Sequence, residues 1–380
     1  MLNLLYRLAV VGITCVATMA AASAATVVPV GGATNHATIW VPDYYGRTVN
    51  IYKFDYTVNP ATFKITRMNL APRNCNPNSV TLHGGLIYVV CNSDFDGLDQ
   101  ILVYSGTRLT YVRAITGVDI DGNQYFDGAS LIGILFDAHG NLWTTGYNTN
   151  TLLRVPAANL TQTNPRIDRE VIDSPDSPAG LAMGGDHSIW VVGQFQGGIV
   201  LNFTDAVLNQ PGSFLQGNPL NPSPRYCISN NAPGCQQITG LFDQPEGVAI
   251  YGGAAWVTNN GGNAPGKTMV RLTVSDDELS AITYGGTQNR PFACPGGIFA
   301  AVGTNKTETL WVNDEGFGVA GTDCGASNAD QSANTGLVME FLPQDLTLPH
   351  KSAPPIYRFS YESYLRTSSP GFGGIFVQLD

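Results

Sequence analysis

All five tryptophans of this 380-residue chain occupy one local frame. An apolar residue precedes the Trp, a β-branched residue follows it, and a polar turn comes soon after. The frames are Ile39-Trp40-Val41-Pro42-Asp43, Leu142-Trp143-Thr144, Ile189-Trp190-Val191-Val192-Gly193, Ala255-Trp256-Val257-Thr258-Asn259-Asn260 and Leu310-Trp311-Val312-Asn313-Asp314. Ile87-Tyr88-Val89-Val90-Cys91-Asn92 is a sixth copy with Tyr for Trp. The centres stand at positions 40, 88, 143, 190, 256 and 311, with intervals of 48, 55, 47, 66 and 55 residues. A repeat of that length, slightly above the period of propeller blades, constrains the fold more than any other feature of the chain.

The surroundings of each centre repeat as well. Upstream stands a Pro or Gly followed by a short apolar run: Pro178-Ala179-Gly180-Leu181, Pro245-Glu246-Gly247-Val248 and Pro295-Gly296-Gly297-Ile298, with weaker versions at Pro77-Asn78-Ser79-Val80 and Gly133-Ile134-Leu135-Phe136. Downstream comes a Gly/Asn-rich turn and then an alternating strand such as Ile101-Leu102-Val103-Tyr104 or Met269-Val270-Arg271-Leu272. Each unit therefore reads as a meander of short antiparallel strands. One such unit cannot bury both faces of its sheet, and six packed radially can. The expectation is an all-β, six-bladed propeller of four-stranded antiparallel blades. Pro370-Gly371-Phe372-Gly373-Gly374-Ile375-Phe376-Val377 has the inner-strand pattern with no Trp strand after it, so the C-terminus is expected to complete the first blade and remove the open edge. Thr26 to Val30 competes for the same place.

Met1 to Ala24 carries one charge, Arg7, then an apolar run, and ends Ala22-Ser23-Ala24. That is the layout of a secretory signal peptide cleaved before Ala25. Residues 25–380 are then a single exported domain, secreted or periplasmic, and no other stretch is long and apolar enough to cross a bilayer. Loss of Arg7 takes the formal net charge from −10 to −11. An acidic chain without a Lys/Arg cluster cannot neutralise phosphates, which excludes nucleic acid as a partner. Six cysteines remain after cleavage, and in an exported protein they read as disulfides. The local pairing suits the units best: Cys75 with Cys91, Cys227 with Cys235, Cys294 with Cys324. None shows zinc-site spacing.

The longest interval contains residues 205–244, rich in Asn, Pro and Gly, which reads as a loop inserted on one face of the ring. Two acidic clusters, Asp94-Phe95-Asp96-Gly97-Leu98-Asp99 and Asp119-Ile120-Asp121-Gly122-Asn123, place oxygens at alternate positions around a glycine. The second cluster, with Asp119, Asp121, Asn123 and Asp127, is a candidate calcium loop, although the bidentate Glu of an EF-hand is replaced by Ser130. Self-capping Asp turns are the alternative.

Gly133-Ile134-Leu135-Phe136-Asp137-Ala138-His139-Gly140-Asn141-Leu142-Trp143 resembles the units of NHL-type six-bladed propellers, particularly the streptogramin-lyase-like branch. Trp256-Val257-Thr258-Asn259 resembles the YVTN unit of secreted surface propellers. The resemblance runs from Trp40 to the C-terminus at fold-determining positions, and it implies architecture rather than activity. The lyases have a metal-dependent site with a catalytic histidine. Here His83, His139 and His187 fall in first hairpin turns, away from the usual site face, while His36 and His350 have no patterned partner, so that chemistry does not carry over. Gluconolactonase-like propellers use Glu, Asn and Asp around a divalent cation. Glu246, Asn260 and Asp314 or Glu315 are the residues that such a resemblance would place there.

The turns after the Trp-centred strands and those leading into the inner strands should meet at one rim. That rim collects Asp43, Tyr44, Tyr45, Asn92, Asp94, Tyr147, Asn148, Gln194, Phe195, Glu246, Asn259, Asn260, Asp314 and Glu315. Aromatic and amide groups beside carboxylates suit a polar, sugar-like or cationic ligand and repel anions, so the expected partner is a small polar molecule, a glycan or a protein. The expected function is a binding or scaffold module. The alternative is a metal-assisted hydrolase or lyase at the channel mouth, with calcium as the cation. No Ser-His-Asp or nucleophilic Cys motif is recognisable.

Overall fold

The computed structural model describes residues 35–44, 46–58, 62–92, 98–119, 121–162, 164–171, 176–194, 198–209, 224–261, 268–275, 278–285, 292, 295–303, 308–314, 337–341, 346, 357–360 and 374–379. The signal-peptide region, Thr26 to Val30 and the Cys294/Cys324 pair lie outside these residues.

Six separate sheets form six blades. Blade 1 contains β1 (His36–Asp43), β2 (Thr48–Asp55) and β3 (Thr62–Asn69); blade 2 contains β4 (Asn76–His83), β5 (Leu86–Asn92), β6 (Gln100–Ser105) and β7 (Tyr111–Ile115). Blade 3 is β8 (Leu131–Phe136), β9 (Leu142–Gly146), β10 (Thr151–Val155) and β11 (Arg169–Val171). Blade 4 is β12 (Pro178–Met183), β13 (Ile189–Gly193), β14 (Ile199–Phe203), β15 (Tyr226–Ser229) and a short fifth strand, β16 (Gln236–Gln237), which pairs parallel to β15. Blade 5 is β17 (Pro245–Tyr251), β18 (Ala254–Asn259), β19 (Thr268–Ser275) and β20 (Glu278–Gly285). Blade 6 is β21 (Pro295–Val302), β22 (Glu308–Asp314), β23 (Leu337–Phe341) and β24 (Tyr357–Ser360). The last strand, β25 (Phe376–Leu379), pairs antiparallel with β1 from Ala37↔Leu379 to Trp40↔Phe376. The C-terminal strand thus closes the ring.

Neighbouring inner strands touch in the order β25, β4, β8, β12, β17, β21 and back to β25. The Pro-x-Gly segments explain their shape. In β12, β17 and β21 the register with the second strand shifts at this segment, between Pro178 and Leu181, Pro245 and Val248, and Pro295 and Ile298. The weaker copies in β4 and β8 shift too. Such bulges bend the strand and re-aim its side chains. Glycine is needed because the blades almost touch there. A Cβ on Gly180 would lie 2.6 Å from the Glu246 carbonyl oxygen, and one on Gly247 would lie 2.6 Å from that of Gly296.

The core is divided into six apolar clusters, one per blade interface. Trp143 packs with Ile189, Val191 and Leu201 of the next blade. Trp190 packs with Val248, Ala255 and Val257, Trp256 with Leu310 and Val312, and Trp311 with Ile39 and Val377. Trp40 and Tyr88 fill the remaining two interfaces. The repeated aromatic is therefore the wedge between blades, which is why it recurs in one register. Among the described residues two disulfides are formed, Cys75–Cys91 and Cys227–Cys235. Both match the local pairing, and both suit an oxidising compartment. Among the described residues no helix is long and apolar enough to cross a membrane. Within the 205–244 segment the structure places a one-turn helix, α1 (Asp205–Leu208), together with β15 and β16, so part of the segment is the blade's own outer edge.

Candidate functional site

The pairings Asn76↔Asn92, Pro178↔Gly193, Pro245↔Asn259 and Pro295↔Asp314 bring the starts of the inner strands and the ends of the second strands to one end of the ring. The first hairpin turns lie at the other end. Of the residues expected on the rim, Asp43, Tyr44, Asn92, Glu246, Asn259, Asn260 and Asp314 are buried. Tyr147 and Gln194 are half-buried and Asn148 is exposed. Tyr45, Asp94, Phe195 and Glu315 lie outside the described residues.

Several of the buried ones hold the rim itself. Asp43 Oδ1 accepts from the Gly46 amide at 2.9 Å. Asn92 Nδ2 donates to Ser130 Oγ at 2.7 Å, and the Ser130 amide donates to Asp99 Oδ2 at 2.7 Å, joining blades 2 and 3. Asn259 Nδ2 donates to the Leu241 carbonyl at 3.0 Å and to Thr268 Oγ1 at 2.9 Å.

Glu246 and Asn260 are different. Asn260 Nδ2 donates to Glu246 Oε2 at 2.5 Å. Glu246 Oε1 and Asn260 Oδ1 are buried with no hydrogen-bond partner. Burial disfavours the charged carboxylate and pushes the Glu246 pKa from its ordinary 4.5 up to about 8, against the opposing effect of the Asn260 donor. At neutral pH this group is a neutral acid, able to donate as well as accept. Asn78 occupies the same Pro-x-Gly position of blade 2, three blades away and so across the ring. Its Nδ2 donates to the Leu131 carbonyl at 2.7 Å, while its Oδ1 is buried without a partner. Sequence reasoning passed over Asn78; the alignment of Pro77-Asn78-Ser79 with Pro245-Glu246-Gly247 was the available signal.

The Asp119 loop closes on its own backbone. Asp119 Oδ1 accepts from the Asp121 and Asn123 amides at 2.8 and 2.9 Å, and Oδ2 accepts from Asn123 Nδ2 at 3.0 Å. Asp121, Asn123 and Asp127 are exposed around it. Asp137 does the same in the unit that resembles NHL propellers: Oδ1 accepts from the His139 and Asn141 amides, and Oδ2 also accepts from Trp143 Nε1 at 2.9 Å. Among the described residues, no group of three or more His, Cys, Asp or Glu side chains is arranged to hold a metal ion. His83 stacks on Phe136 at the hairpin end, with ring centroids 4.0 Å apart, and His139 Nε2 lies 3.4 Å from Asp205 Oδ1.

Along the axis runs a cavity of about 460 Å³, lined by five of the six inner strands, β4, β8, β12, β17 and β21, and by Gly374 and Ile375 ahead of the sixth, β25. Glu246 lines its rim end and His83 its hairpin end.

This architecture defines the chain as a six-bladed β-propeller. Its fold is similar to that of a protein of unknown function from Bacteroides caccae, at 10% identity over 90% of this chain and 98% of that one, with a TM-score of 0.52. It is similar to a putative 6-phosphogluconolactonase from Bacteroides fragilis at 11% identity, over 90% and 98% of the two chains, with a TM-score of 0.51. A virginiamycin B lyase from Staphylococcus aureus aligns at 15% identity over 90% and 88%, with a TM-score of 0.48. At these identities the likeness concerns the fold alone. No protein-family model matches the chain, and no curated protein matches it.

Proposed function

We propose that the chain is an exported binding module whose loop face recognises an uncharged, sugar-like polar molecule, free or as part of a glycan. The observation that supports this most is the Glu246–Asn260 pair, with two buried oxygens that have no partner at one end of the channel. Leaving such atoms unpaired is costly, and a ligand that donates to them recovers that cost. A protonated Glu246 adds a donor of its own, which suits hydroxyl groups that both give and accept. Tyr147, Asn148 and Gln194, the rim residues that reach solvent, supply further contacts. The acidity of the chain disfavours anions. The two disulfides support an exported setting, where glycans are common.

A metal-assisted hydrolase or lyase is the second reading, and the same pair favours it. If a calcium ion were held, Glu246, Asn260 and Asp314 would hold it, and its charge would convert Glu246 to the carboxylate. The described residues offer two unpartnered oxygens there, against the six to eight that calcium takes, which is why binding ranks first.

The test measures thermal stabilisation by a panel of neutral mono- and disaccharides, with metal content determined in parallel. A binding module gives a saturable shift that Glu246→Gln and Asn260→Ala remove, with no bound metal. Stoichiometric metal that is lost in Glu246→Gln and Asp314→Asn rejects it in favour of the second reading. The Asp121→Asn variant, assayed alongside, reports on calcium at the Asp119 loop.

A further inference from the structure

The central cavity opens away from the loop face. At its rim end the lining is buried: Ser79 is 4% exposed, Glu246 3%, Val248 3% and Ile298 6%. Towards the hairpin end, Leu82, Phe136, Ala182, Ile250, Phe299 and Ala300 are half-buried, and Met183 is 38% exposed while still lining the wall. The close approach of backbones at Gly133, Gly180 and Gly247 narrows the rim end. The space is therefore a pocket with its mouth on the face opposite the rim.

Its walls have two kinds of surface. One is aliphatic and aromatic: Val80, Ile134, Leu135, Leu181, Val248 and Ile298 contribute among others. The second is backbone. Each inner strand is the edge of its sheet, so along the cavity its outward peptide groups have no ladder partner; those of Val80, Gly133, Ala179, Gly247 and Gly296 are taken up by Gly374, Thr145 and Thr258, and the others face the space. Between Glu246 at the closed end and His83 at the mouth, the described lining residues include no ionisable side chain. The volume falls within the ~300–1,000 Å³ of small-molecule sites.

We propose that this channel is a second binding site, entered from the hairpin face between His83 and Met183, for an uncharged small molecule with an apolar body and one or two hydrogen-bonding groups. The apolar body lies against the aliphatic walls, and its polar groups pair with strand-edge peptide groups. The unbranched, polarisable Met183 forms an adaptable lip. The stacked His83–Phe136 pair forms the part of the mouth contributed by the two preceding blades. This site meets the rim reading at Glu246, which lines its closed end, whereas Asn260 and Asn148 do not line it.

The experiment uses the full mature chain and N-phenyl-1-naphthylamine, an uncharged apolar fluorophore with a single N–H. Titration should give a saturable fluorescence increase at one site per chain. Met183→Cys should bind the dye as the parent does. After folding, reaction of that cysteine with a bulky maleimide should weaken binding at least about tenfold, while the maleimide-treated parent is unchanged. Because the block is installed on folded protein, misfolding is not an explanation for the loss. Asn260→Ala should leave dye binding intact even though it abolishes a saccharide response. Non-saturable binding by the parent, unchanged binding after the mouth is blocked, or loss of dye binding in Asn260→Ala would each overturn the proposal.

Discussion

Glu246 is a residue whose chemistry departs far from its ordinary behaviour, and its titration has a definite sign. In the unfolded chain it ionises near 4.5, and in the folded chain near 8. Between those values the folded protein holds the extra proton, so this group makes stability fall as pH rises through the window and level off above about 8. Glu246→Gln has no proton to lose there. Thermal midpoints at pH 5, 7 and 9 should therefore show a decline for the parent that is shallower for the variant; parallel profiles would mean that the carboxyl is not buried as described. Thr258 is a second residue whose role is local and testable. Its Oγ1 accepts from the bulged Gly247 amide at 2.9 Å and donates to the Gly296 carbonyl of the next blade at 2.5 Å. Thr145 repeats the device with Gly133 and Ala179. Thr258→Val should cost ~2–3 kcal/mol by leaving two buried backbone groups unpaired, and Thr258→Ser should restore most of it. Equal denaturation midpoints for Val and Ser variants would remove the staple from the account.

At the scale of the element, each second strand contributes one large aromatic to a blade interface. Trp190, 9% exposed, stacks on Tyr226 of its own blade and reaches the aliphatic residues of blade 5. Trp190→Ala should cost ~3–5 kcal/mol, the range for truncating a buried aromatic, with Trp190→Phe well below that. A loss under ~1 kcal/mol would show that the blades pack without the wedge. The hairpin before Trp143 shows how a strand pair and its aromatic are coordinated. Asp137 satisfies the turn amides and the indole N–H with one carboxylate, which explains the spacing of Asp, Gly and Trp in that unit. The same capping makes Asp119 an internally satisfied turn, a distinction that a count of alternating oxygens does not make.

For the molecule as a whole, stability rests on ring closure by a strand more than 300 residues away from its partner. Truncation after Gly373 should expose the β1 edge and remove Ile375, Val377 and Leu379 from the blade 6–blade 1 interface. The expected outcome is loss of the cooperative thermal transition and aggregation through the open edge; a soluble, cooperatively melting truncation would contradict closure by β25. Much of this architecture was legible in the residues alone. The Trp frame, the Pro-x-Gly runs and the Cys75/Cys91 and Cys227/Cys235 spacings are local patterns, and a local pattern suffices to specify which side of a strand is buried and which turn follows it. Blade number, closure at the C-terminus, the face holding the histidines and the two disulfides follow from that. The nearness of Glu246 to Asn260 was legible only through the gluconolactonase resemblance, and the matching Asn78 across the ring, the burial of Asp43, Asn92 and Asp314, and the direction in which the channel opens were not legible at all. Those depend on how closely six inner strands approach one another, a distance set jointly by glycines, bulges and interface side chains that are far apart in the chain. Only the closed ring determines which of the polar rim groups face a partner, which face solvent and which are left buried without one.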